Sequence, residues 1–149
     1  MFTIQMRLAG WGADTPPEDI ARVVELLIEA LATANMAEMR ANPFPTLATG
    51  AIRYDLEESQ ELFDDATLVL SRRSGDCDDL AAYRLAELWI EGDHGARAHV
   101  RWQADPTNQI PWGFHAMVRR GNGQIEDPSV KLGMGWLVPL DGSERDGAA

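Results

Sequence analysis

After a short alternating start, the hydrophobic period of this chain changes from helical to extended, and that change limits the folds open to it. Up to residue 90 apolar side chains recur at helical spacing; from residue 96 they alternate. A repeat near 3.6 suits an amphipathic helix and a repeat of 2 suits a half-buried strand. Helices first and strands afterwards predict an α+β layout rather than alternating βαβ units. In the helical part, Ile20, Val23, Val24, Leu27, Ile28 and Leu31 form one broad apolar face. Thr15-Pro16-Pro17-Glu18 ahead of them reads as a capping box with proline in the first turn, and Asn42-Pro43-Phe44-Pro45 reads as a stop. Residues 57–70 predict a second helix with Leu62, Phe63, Ala66 and Leu70 on its apolar side. A third runs from Asp76 or Cys77 to about Ile90, closed by Gly92 and Gly95.

Residues 1–8 alternate as a first strand. In the extended part, residues 96–103 predict a strand with Ala98, Val100 and Trp102 on one face. Residues 112–120 predict a second, Gly121-Asn122-Gly123 a hairpin turn, residues 124–127 a third, and residues 135–140 an edge strand. The expectation is one domain over residues 1–140, with N-terminal helices on a C-terminal antiparallel sheet of about four strands. Residues 141–149, small and polar, read as a flexible tail.

Composition narrows the function. The apolar share of 45% is that of a globular protein, and the formal charge is −11, with 13 basic against 24 acidic residues. Scattered, outnumbered cations make no stripe that could track phosphates, so no nucleic-acid partner is expected. No segment nears the roughly 18 apolar residues of a membrane helix, and the N-terminal residues make a poor signal peptide because Gln5 and Arg7 interrupt them. The single cysteine forbids an internal disulfide and fits a reducing compartment. A cytoplasmic protein is expected.

That cysteine, Cys77, stands where a loop turns into the third helix, and a helix N-terminus favours the thiolate. Asp76, Asp78 and Asp79 beside it oppose a thiolate while suiting the helix dipole, so activation falls to a histidine. His94 lies in a glycine-flanked turn and His99 is out of phase with its strand's apolar set; both are expected to face solvent. His115 lies within a buried strand, Trp112-Gly113-Phe114-His115-Ala116-Met117-Val118. The hairpin brings Asp127 to the neighbouring strand, where a carboxylate can fix one ring nitrogen and leave the other for sulfur.

Arg73-Ser74-Gly75-Asp76-Cys77-Asp78-Asp79-Leu80-Ala81 resembles the nucleophile segment of transglutaminase-like, or papain-like, cysteine enzymes. Phe114-His115-Ala116-Met117-Val118 is similar to their histidine strand, and Ile125-Glu126-Asp127-Pro128-Ser129 to their aspartate strand. The resemblance covers residues 70–131 and is nearest to small stand-alone bacterial and phage members. It implies a transglutaminase-like fold and a catalytic triad of Cys77, His115 and Asp127. It also implies amide hydrolysis or acyl transfer through a thioester, a protein or peptide substrate, and no cofactor. In that pattern an upstream side chain completes the oxyanion hole; Tyr54 and Gln60 are the candidates, and Trp112 is the candidate groove residue. A phage-encoded member would be virion-associated.

Two other readings compete. Zinc lacks Cys-x-x-Cys or His-x-x-x-His spacing, and Asp76, Asp78 and Asp79 lack the glycine and distal glutamate of a calcium loop, so no metal is expected. A catalytically inactive domain of the same fold, with a structural or phage-assembly role, is the alternative.

Overall fold

The computed structural model describes residues 3–4, 15–56, 62–103 and 113–134. The expected edge strand at residues 135–140, the tail at 141–149, and the candidates Gln60 and Trp112 lie outside the described residues, as does most of the predicted first strand. What is described mixes helices and small sheets, compatible with the α+β reading.

The first helix, α1 (Pro17–Ala41), buries Ala21, Val24, Ile28, Leu31 and Ala32 along one stripe. Asn42, in extended conformation ahead of Pro43, ends it. The expected capping box does not form. Pro16 is the N-cap, and its carbonyl accepts from the N–H groups of Asp19 and Ile20, so the helix starts one residue later than Thr15 and Glu18 require. Glu18 and Asp19 still place negative charge in the first turn.

The second helix also starts later than its periodicity suggests. Helix α2 spans Ala66–Arg72, with the Asp65 carboxylate accepting from Leu68 N–H at 3.0 Å. Ahead of it, Phe63–Asp64 forms a short strand, β3, antiparallel to β1 (Thr3–Ile4). An apolar Phe63 buried from a strand looks in sequence like one buried from a helix. Arg73, left-handed at φ 59°, then turns the chain into β4 (Ser74–Gly75), which pairs in parallel with β2 (Arg53–Tyr54).

Helix α3 (Cys77–Ile90) is the centre of the molecule. It packs on α1 and against a three-stranded antiparallel sheet, β5 (Arg97–Gln103), β6 (Gly113–Arg119) and β7 (Ile125–Glu126), in that order. Ala98 pairs with Val118 and Val100 with Ala116, and these four join the helices in the main core. The hairpin between β6 and β7 forms as expected: Gly123 takes φ +90° and donates to Arg120. Gly121 is close enough to Asp93 that a Cβ would stand 2.5 Å from its Oδ1. After β7 comes the short helix α4 (Pro128–Lys131). Among the described residues no helix is long and apolar enough to cross a membrane.

Candidate active site

Cys77 is the first residue of α3, and Asp76, its N-cap, accepts from Asp79 N–H. Half-buried, the cysteine packs against the main core. The helix starts here because Asp76 competes for the first free N–H groups, as Asp caps do. Tyr54 is half-buried, and its backbone pairs with Gly75, two residues ahead of the cysteine. The short parallel pair therefore brings that candidate alongside the nucleophile loop.

His115 is on β6, the strand against which α3 packs, and is 3% exposed. Its Nε2 lies 2.7 Å from Asp127 Oδ2. A carboxylate only accepts, so Nε2 carries the hydrogen and Nδ1 is left as the basic nitrogen. Asp127 is itself buried and fixed from the other side, its Oδ1 accepting from Val130 N–H at 3.2 Å as the N-cap of α4. The two residues meet diagonally across neighbouring strands. The last ladder pair is Val118 with Glu126, so Asp127 comes one step beyond it, next to Met117, with His115 two residues farther along on the same face. Diagonal neighbours on one face are within reach of long side chains. Alternation directs Ala116 and Val118 to the helices and His115 and Met117 to the other face, yet all four are buried.

The three acids around Cys77 are more deeply placed than a solvated first turn. Asp76, Asp78 and Asp79 are 4%, 0% and 2% exposed. Asp79 Oδ1 accepts from Asp64 N–H at 2.7 Å, tying the helix tip to β3. Burial first, then the neighbouring charge of Asp76, pushes the Asp78 carboxyl well above the ordinary range. As an ionised group Asp78 has no donor among the described residues; once protonated it can donate to Asp76. Burial also raises Asp76, and the hydrogen bond from Asp78 offsets part of that.

His94 is exposed, as expected. His99, expected to face solvent, is half-buried, and its Nδ1 lies 2.9 Å from Arg119 Nη2. Sequence reasoning also missed Arg84, which binds Glu87 and Glu126. The spacing of Arg84 and Glu87 signals the first pair, but nothing local signals the second. A cavity of about 510 Å³, lined by Leu47, Arg84, Glu87, Glu126, Pro128 and Lys131 among others, flanks Asp127 in sequence, but Cys77, His115 and Asp127 do not line it. It does not define the chemical centre. The structure thus joins His115 to Asp127 and puts Cys77 at the tip of the helix packed on the same strand. No family model, curated protein or solved structure matches this chain, so the reading of the site rests on these residues alone.

Proposed function

We propose that the protein is a thiol-dependent amide hydrolase or acyltransferase of transglutaminase-like fold, acting on a protein or peptide. Cys77 is its nucleophile, His115 its base and acid, and Asp127 its orienting residue. The observation that carries this reading is the buried His115–Asp127 pair at 2.7 Å, whose Nδ1, unbonded among the described residues, belongs to a strand packed against the helix that presents the cysteine. Strand alternation turns the His115 ring to the face opposite Ala116, Val118 and the helices, so what the proposal adds to that pair is a contact between sulfur and imidazole that this alternation opposes.

In the proposed cycle His115 takes the Cys77 proton and the thiolate attacks the amide carbonyl. The C–N bond breaks, and the imidazolium returns the proton to the departing amine. Water, deprotonated by His115, then cleaves the C–S bond of the thioester and restores the thiol. An amine acceptor in place of water gives acyl transfer. The Cys77 N–H, in the first turn of the helix, suits a developing oxyanion, with Tyr54 as a second candidate.

The test is alkylation of Cys77 by iodoacetamide between pH 6 and 7. The wild type is expected to react at least ~10-fold faster than His115→Ala, because a thiol without its base is almost wholly protonated there. Equal rates overturn the pairing. A second reading, an inactive domain of the same fold in a structural or phage-assembly role, is favoured by the three buried acids that oppose a thiolate at Cys77. It expects slow alkylation in both proteins, rising only at high pH.

A further inference from the structure

The geometry points to a binding site for a hard divalent cation, formed by Asp76, Asp78 and Asp79 at the tip of α3. One carboxylate oxygen from each lies within 4.8 Å of those of the other two. That is about the span across a calcium coordination sphere with oxygens at 2.3–2.6 Å. Acidic clusters are common on surfaces, but this one is buried, and one member is unusual. Asp78 is 0% exposed, and unless it holds a proton shared with Asp76 both of its oxygens lack a hydrogen-bond donor among the described residues. A buried carboxylate with two bare oxygens is costly unless a charge meets it.

The other two acids are positioned as ligands usually are. Asp76 is held by Asp79 N–H and Asp79 by Asp64 N–H, and each of these bonds uses only Oδ1. Backbone donors thus help to orient both carboxylates, as outer-sphere bonds do around metals. Gly75 leaves room beside them: a Cβ there would meet Asp79 Oδ2 at 3.4 Å and Asp79 Cβ at 3.1 Å. The helix N-terminus contributes about half a positive charge, too little for three carboxylates. An all-oxygen donor set selects calcium, magnesium or manganese over zinc. This inference does not depend on the proposed thiol chemistry.

The experiment is calorimetric titration and thermal unfolding of the full chain, stripped with EDTA and returned to calcium, magnesium or manganese chloride, with sodium chloride as ionic-strength control. One saturable equivalent is expected, with a midpoint rise of roughly 5–10 °C at a hundredfold excess over Kd. Cys77→Ala is expected to bind unchanged, and Asp78→Asn to lose the response. Two results overturn the site. One is the absence of saturable binding by the wild type up to about 10 mM of every cation, beyond the weakest calcium modules. The other is an Asp78→Asn response equal to that of the wild type. Should Asp78→Asn fail to fold, the wild-type titration decides alone.

Discussion

In the C-terminal half of α3, Glu87 is 8% exposed and every oxygen it buries is bonded: Leu47 N–H reaches Oε1 at 2.7 Å and Arg84 Nη1 reaches Oε2 at 2.9 Å. Glu126, across on β7, is met by Arg84 at 2.8 Å and by Arg120 at 3.1 Å. At the N-terminal end of the same helix Asp76, Asp78 and Asp79 are buried as deeply. There the acids are held by backbone N–H groups and, at Asp78, by no donor among the described residues. Burial opposes ionisation at Asp76, Asp78, Glu87 and Glu126, and of these four only Glu126 has its pKa lowered, by the Arg84 hydrogen bond and the surrounding cations. One end of the helix uses charge to hold elements together. The other keeps charge in reserve next to its cysteine, and proteins concentrate such perturbed groups at functional sites.

The largest effect expected from this contrast is that of Arg84→Met. It strips the cation from buried Glu87 and one of two cations from Glu126 while roughly keeping the volume of the side chain. Removing one partner of a buried pair costs about 3–5 kcal/mol, so urea unfolding should show a loss of that order. A loss below about 1 kcal/mol, the median for exposed pairs, would erase the difference between the two ends. The opposite sign is expected at the other end. Without divalent cations, and at a pH high enough to ionise Asp78, Asp78→Asn should stabilise the protein by about 1–3 kcal/mol, the cost of a buried group left unsatisfied. Its amide can donate to Asp76 where the carboxylate cannot. Unchanged or lower stability would mean that the Asp78 oxygens are compensated after all.

The elements that carry the site were the legible ones. Cys77 follows an Asp cap, and Gly121-Asn122-Gly123 fixes a hairpin, so the helix tip and the strand bearing His115 follow from local rules; the diagonal meeting with Asp127 needs only the register. The misreadings have a common cause in distance along the chain. Phe63 and Asp64 leave the expected helix because they pair with Thr3 and Ile4, some 60 residues away. Asp79 reaches back 15 residues to Asp64 N–H, and Arg84 reaches 42 residues forward to Glu126. No periodicity encodes such contacts. The burial of the Asp76–Asp79 acids is likewise invisible locally, since the same residues on an exposed helix tip would be ordinary dipole partners.

His99 offers the smallest effect and the finest test of how this fold treats charge. It shares a sheet face with Met117 and His115, and it has a guanidinium, Arg119, as neighbour where His115 has a carboxylate. Burial first, then the charges of Arg119 and Arg101, lower its pKa, and Glu25 opposes them. The folded state therefore binds its proton less readily than the unfolded chain does. By linkage, the contribution of His99 is fully present above the unfolded value of 6.5 and is lost as pH falls through it. Between pH 7.5 and 5.5 the wild type should lose slightly more stability than His99→Gln, by about 0.5 kcal/mol or less, the range of surface substitutions. Urea midpoints at the two pH values measure the difference. Parallel pH slopes would show that Arg119 stands off His99 in solution, and that the sheet face shared with His115 is wetter at this end than at the buried pair.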